Sequence, residues 1–250
     1  MLKVFLRWAF RLLSVTSKEK IKDYNEGFLW RTYVNFYAKR AGGVYFGQNL
    51  EDQVLSQYLT EPKGAYVDIG AGWPVQGSNT YFFYIQGWSG ITVDPIKSNF
   101  ELHKLFRKRD KQVQALIGCV PGVVDFYRFE PYEYSTSNPE VAKEVAMRDD
   151  TRLIEIERHQ ILRLDELRIH GLPLEPTLLS VDVEGNDIEV LKSNNWTEYL
   201  PRVICIETWS NQIDYEDEII KFLAQYDYQL VSEMSVSRIF VHLSYLALQG

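Results

Sequence analysis

The stretch Ser180-Val181-Asp182-Val183-Glu184-Gly185-Asn186-Asp187 lies between Pro176-Thr177-Leu178-Leu179 and Ile188-Glu189-Val190-Leu191, and its reading decides the fold. A short apolar run reads as a buried strand. This one ends in two carboxylates and a glycine before a helical pattern begins. Buried strands of parallel sheets rarely carry charge along their length, so acids at the carboxyl end belong to the crevice where ligands bind. A second segment, Ala65-Tyr66-Val67-Asp68-Ile69-Gly70-Ala71-Gly72, repeats the design upstream. Two acid-tipped strands suggest a nucleotide-type cofactor and a reaction centre on one edge of one sheet.

Between and after these segments the pattern alternates strand, glycine turn and helix. Helices are expected at 79–87, 97–109, 186–193 and 214–225. Strands are expected at 65–69, 90–94, 113–117, 177–182 and 202–207. Extended pieces at 123–129 and 153–164 flank a polar insert around 130–152. The closing runs 228–232 and 236–243 are separated by a few residues and suit an antiparallel hairpin. Such alternation predicts an α/β fold with a Rossmann-like, mostly parallel sheet and an antiparallel last strand. That last strand is a methyltransferase feature rather than a dehydrogenase one.

Gly70-x-Gly72 alone is a weak signal. A dinucleotide fingerprint wants a third glycine where this chain has Val75, which counts against NAD. Asp68 precedes the glycines and is placed to hold the amino-acid end of a cofactor. Asp94, closing Gly90-Ile91-Thr92-Val93, is placed to accept both ribose hydroxyls. The pairing suits S-adenosyl-L-methionine, whose sulfonium is cationic and whose amino-acid end is zwitterionic. Asn79, opening the next helix, and Ile117, ending the third strand, complete the candidate cofactor contacts.

Several segments together resemble the FkbM-type methyltransferases. They are Gly47-Gln48-Asn49-Leu50-Glu51-Asp52, Tyr66-Val67-Asp68-Ile69-Gly70-Ala71-Gly72-Trp73-Pro74, Ser78-Asn79-Thr80, Gly87-Trp88-Ser89-Gly90-Ile91-Thr92-Val93-Asp94-Pro95 and Leu179-Ser180-Val181-Asp182-Val183-Glu184-Gly185. The similarity spans about residues 45–245, and Asp94 stands where the family more often has glutamate. The resemblance implies a class I methyltransferase fold and O-methylation of sugars, glycans or natural-product hydroxyls.

Methyl transfer from a sulfonium is an in-line displacement that needs an oriented acceptor oxygen and an outlet for its proton. The candidates are Asp182, Glu184 and Glu207. Three carboxylates on one edge could hold Mg²⁺, with Asp182 and Glu207 as ligands. Alternatively they supply one general base whose pKa its neighbours raise. Glu184 also suits a structural role, binding backbone amides at the turn. Of four histidines, His103 and His170 read as surface residues and His242 as a strand residue. His159 lies near the polar insert and is the remaining catalytic candidate. The hydroxyl-rich Tyr132-Glu133-Tyr134-Ser135-Thr136-Ser137-Asn138 suits a sugar-like acceptor.

The 46% hydrophobic and 14% aromatic content of 250 residues is ample for one domain, assigned to 18–250. A net charge of −7 disfavours nucleic acid, leaving a small-molecule or glycan acceptor as the expected partner. Cys119 and Cys205 lack metal-site spacing and read as buried thiols of a reducing, cytoplasmic compartment. Residues 1–17 stand apart as an amphipathic helix. Within 1–14, Lys3, Arg7 and Arg11 form a basic stripe on an apolar segment too short to span a bilayer. It suits peripheral contact with the inner face of a membrane, or packing on protein. A non-catalytic membrane-associated protein that retains the fold is the alternative to the enzyme.

Overall fold

The acid-tipped runs lie side by side. The computed structural model describes residues 45–171, 177–208 and 213–248. In chain order the first elements are α1 (Glu51–Tyr58), β1 (Ala65–Ile69), α2 (Tyr81–Ile85), β2 (Ser89–Val93), α3 (Lys97–Phe106), β3 (Lys111–Val113) and β4 (Leu116–Ile117). Then come β5 (Gly122–Glu130), α4 (Pro139–Ala146), β6 (Arg152–Leu162), β7 (Leu178–Val181), α5 (Asp187–Lys192) and β8 (Val203–Glu207). The chain continues through α6 (Ile213–Ala224), β9 (Tyr228–Glu233), β10 (Ser237–His242) and α7 (Leu243–Leu246). The amphipathic helix expected at residues 1–17 lies outside the described residues.

Seven strands form one sheet in the order β3-β2-β1-β7-β8-β10-β9. β1, β2, β3, β7 and β8 pair in parallel, and β10 runs antiparallel to both of its neighbours. This is the α/β sheet with an antiparallel last strand that the sequence predicts. Val67, Ile69, Leu179, Val181, Ile204 and Ile206 are buried at its centre. Continuous apolar runs form these strands because successive residues, which point to opposite faces, are all buried.

One strand is shorter than expected. The run 113–117 divides: Val113 ends β3 in the main sheet, while Leu116 and Ile117 form β4 in a second sheet. That sheet has the order β4-β6-β5, with β5 and β6 antiparallel. Exposed Gln114 donates to the Pro95 carbonyl at the point where the chain changes sheets.

The tips of β1 and β7 touch backbone to backbone. Asp182 N–H donates to Ile69 O at 3.0 Å. A Cβ on Gly70 (φ +73°) would lie 1.6 Å from Asp182 O. The glycine is therefore required by the sheet itself.

Helix α3 shows a polar face to the domain. Asn99, His103 and Arg107 recur every four residues and all three are buried. Asn99 donates to Asp94, and the Arg107 guanidinium donates to Asp110, Ser78 Oγ, Thr80 Oγ1 and the Pro74 carbonyl. His103, expected at the surface, is only 1% exposed. Its Nε2–H donates to Gly72 O at 3.1 Å. The helix packs on loop tips rich in backbone polar groups, so its inner face must be polar. Leu105 of the same helix is exposed.

The amino edge of the main sheet is closed differently. Arg202 and Tyr245 both donate to Glu61 Oε1, at 2.7 and 2.6 Å. The Trp88 indole donates to Glu61 O, and Tyr228 OH donates to Pro201 O.

Two outcomes follow from this packing. Gly70→Ala is expected to lose more than about 4 kcal/mol or fail to fold, because backbone must shift. Gly77→Ala, where a Cβ meets nothing within 4 Å, should lose only about 1 kcal/mol for its positive φ. Denaturant unfolding measures both, and equal small losses would show that the tips are not in contact. Burial, then the nearby Arg107 charge, lowers the His103 pKa to about 3. Its neutral form therefore stabilises the fold above the ordinary value near 6.5, and this is lost as pH falls toward 3. His103→Gln keeps the donor to Gly72, so its stability relative to wild type should improve between pH 7 and pH 4. A pH-independent difference would remove His103 from the acid response.

Candidate active site

The carboxyl edge gathers nearly all the candidate residues. Asp68, within β1, is buried and accepts a 2.5 Å hydrogen bond from Thr80 Oγ1. Arg107 holds that hydroxyl from the other side at 2.8 Å, so its proton is turned toward Asp68. Burial raises the Asp68 pKa, and the Arg107 charge and the Thr80 bond oppose that rise. The guanidinium is itself fixed by Asp110, which also accepts from Tyr66 OH and Gly90 N–H. Sequence reading assigned no role to Thr80, Arg107 or Asp110; Arg107, late in the helix expected at 97–109, reads as a solvated charge.

Asp94 follows β2 and is buried. Its carboxylate accepts from Gly72 N–H at 2.9 Å, Ile96 N–H at 2.7 Å and Asn99 Nδ2 at 3.2 Å. Burial raises its pKa to about 7. Together with His103, it holds both sides of the Gly72 peptide unit. Tyr132 reaches over this turn from the insert, its ring stacked on Trp73 with 6.2 Å between centroids. A Cβ on Gly72 would sit 3.5 Å from its hydroxyl. Asn79 contacts Ser180 Oγ and Cys205 Sγ between β7 and β8. Ile117 is buried in the main core from its place in the second sheet.

Asp182, Glu184 and Glu207 meet, each offering an oxygen within 4.8 Å of the other two. Parallel pairing of β7 and β8 brings this about, since Val181 pairs with Ile206 and the next residue of each strand is an acid. Burial, the Asp187 charge and the neighbouring acids raise the Asp182 pKa to about 7. Burial and then Asp182 push Glu184 and Glu207 well above the ordinary range. Glu207 Oε2 is buried without a hydrogen-bond partner among the described residues. Three adjacent carboxylates cannot all ionise cheaply, so each raises its neighbours' affinity for a proton.

The turn amides expected on Glu184 go instead to Asp187. Its two oxygens accept from Val183 N–H at 2.9 Å and Gly185 N–H at 3.2 Å. Asp187 takes this work because it sits in the first turn of α5, where an acid faces free amides. Glu184 is left to the cluster.

His159 stands elsewhere, on β6, bonded to Glu157 at 2.7 Å and edge-on to Phe126. The hydroxyl-rich stretch of the insert is largely engaged within the protein. Ser135 Oγ accepts from Phe129 N–H, Thr136 Oγ1 donates to Glu184 O, and Asn186 Nδ2 donates to Ser137 Oγ. Cys205 is buried as expected. Cys119 is half-buried, and its thiol donates to Glu189, which pushes its pKa up.

Solved structures similar to this chain include two methyltransferases. One is the precorrin-6y C5,15-methyltransferase of Geobacter metallireducens, 12% identical over 78% of this chain and 86% of that one, TM-score 0.42. The other is the 1,6-didemethyltoxoflavin-N1-methyltransferase of Burkholderia thailandensis, solved with S-adenosylhomocysteine. It is 10% identical over 92% of this chain and 89% of that one, TM-score 0.40. No curated protein matches the chain at a significant level. The methyltransferase FkbM domain matches residues 64–230, which covers the acid-tipped strands and more than half of the sequence. The chain belongs to the FkbM methyltransferase family.

Proposed function

We propose that this methyltransferase uses S-adenosyl-L-methionine to methylate a hydroxyl of an uncharged sugar, glycan or related natural product. One observation carries the reading: the glycine turn that suits the cofactor abuts the carboxylate cluster, through the contact of Gly70 with Asp182 O. A methyl donor on the first would face a proton acceptor on the second. Asp68 suits the cofactor's amino-acid end. Asp94 already accepts three protein hydrogen bonds. A carboxylate has about four acceptor positions, so one ribose hydroxyl finds room without displacing a protein donor.

Asp182, with its pKa near 7, is suited to take the acceptor's proton at neutral pH. Burial and the other acids dominate the surroundings of all three carboxylates. An anionic acceptor would be repelled there, which favours a neutral polyol. A second reading places Mg²⁺ on Asp182, Glu184 and Glu207. It is favoured by the partnerless Glu207 Oε2, since hard cations take oxygen ligands. Such an ion would polarise an acceptor hydroxyl. Among the described residues no helix is long and apolar enough to cross a membrane. Peripheral attachment through residues 1–14, at the inner face of a membrane, belongs to this proposal.

Calorimetric titration should find S-adenosylhomocysteine binding and no NAD binding; the reverse would sink the cofactor assignment. Asp182→Asn preserves shape and removes charge. It should keep cofactor affinity within about twofold while methyl transfer from labelled donor to a panel of neutral glycosides falls about 10²-fold or more. Turnover near wild type would remove Asp182 from the chemistry. Loss of turnover in a chelator, restored by Mg²⁺, would select the metal reading over the plain base.

A further inference from the structure

We infer that the excursion between β5 and β6 is a buttress for the reaction-centre turn, with Thr136 and Asn138 as positioning residues that fix Glu184 toward Asp182 and Glu207. The role given to Glu184 rests on the proposed methyl transfer; the buttressing is independent of it. Glu184 has φ +53°, in the left-handed region that residues with a Cβ avoid unless their surroundings impose it. Those surroundings are two sets of hydrogen bonds. Asp187 accepts the amides of Val183 and Gly185 from one side. The insert grips the carbonyls from the other: Thr136 Oγ1 donates to Glu184 O at 2.8 Å, and Asn138 Nδ2 donates to Gly185 O at 3.1 Å. Asn186 Nδ2 adds a third tie, to Ser137 Oγ at 3.0 Å.

The gripping residues are themselves anchored by burial and hydrogen bonds. Thr136 is fully buried, and its amide and carbonyl both pair with Tyr127 of β5. Asn138 caps α4 through Oδ1, which accepts from the Glu140 and Val141 amides. Val141 of that helix packs so closely on Gly185 that a Cβ there would come within 2.8 Å of it. Without the carbonyl bonds the turn can relax toward ordinary backbone and carry the Glu184 carboxylate away from its two neighbours. The insert thus reaches across the sequence to set the geometry of a cluster to which it gives no carboxylate.

The test uses the full chain carrying Thr136→Val or Asn138→Asp. Thr136→Val keeps size and loses both the donor to Glu184 O and the acceptor of the Asn138 amide. Asn138→Asp keeps the helix cap, loses the donor to Gly185 and sets a carboxylate oxygen against that carbonyl. In hydrogen-exchange mass spectrometry, peptides spanning 182–187 should exchange at least about tenfold faster in either variant, with β1 and β2 unchanged. Affinity for S-adenosylhomocysteine should stay within about twofold, and Thr136→Ser should restore wild-type exchange. On an acceptor from the glycoside panel, kcat should fall about tenfold with the cofactor KM unchanged. If one variant fails to fold, Asn186→Ala, which cuts only the tie to Ser137, should give a smaller local rise. Unchanged exchange at 182–187, or faster exchange throughout the main sheet, overturns the inference. Failure of wild type to bind S-adenosylhomocysteine would sink the cofactor assignment while leaving the exchange comparison intact.

Discussion

The carboxyl edge depends on one buried cation. The Arg107 guanidinium is wholly inside the protein, and its donors go to Asp110, Thr80, Ser78 and the Pro74 carbonyl. Through Asp110 it is linked to Tyr66 in β1 and to Gly90 at the start of β2; through Thr80 it is linked to Asp68. A single charge thereby ties together α3, two strands and the loop after the glycine turn. Removing one partner of such a buried pair typically costs about 3–5 kcal/mol, since the remaining charge is stranded. Burial raises the Asp68 pKa, and the Arg107 charge and the Thr80 bond oppose that rise.

Beyond Asp68 the balance is different. Asp182, Glu184 and Glu207 have burial and one another's charge as their main influences, with Asp187 close by. The edge is graded, from a neutralised acid at β1 to an uncompensated cluster at β7 and β8. Under the proposed reading a positively charged sulfonium would be attracted to whichever of these acids is ionised, and methyl transfer, by removing that charge, would weaken the attraction.

The strands of the main sheet were legible because burial on both faces leaves a plain trace, an apolar run that ends at an acid or a glycine. Asp68, Asp94, Asp182, Glu184 and Glu207 could be named for that reason. The polar face of α3 could not, since Asn99, His103 and Arg107 bury against loop tips and imitate a solvated stripe. The break after Val113 was hidden for a similar reason: Gln114 and Ala115 interrupt the apolar character too briefly to mark a change of sheet. Asp187 and Glu184 illustrate a third limit. Both are acids at one turn, and only the path of the backbone decides that Asp187 takes the amides while Glu184 joins the cluster. The hydroxyls of the insert carry no sequence mark that separates bonding to a turn from bonding to a ligand.

The opposite edge of the sheet is built for another purpose. Glu61, Arg202, Tyr245 and Trp88 lock the amino ends of β1, β2 and β8 to the end of β10. None of the candidate residues lies there. The lock at this edge therefore shares no side chain with the candidate site, while Arg107 and its partners hold the other end of the same strands. This separation makes the protein evolvable in a particular direction. Lineages can diversify the carboxyl-edge loops and exchange acceptors while the amino-edge lock keeps the sheet assembled. The exception is the turn at Glu184, where any new loop between β5 and β6 inherits the obligation to hold two carbonyls.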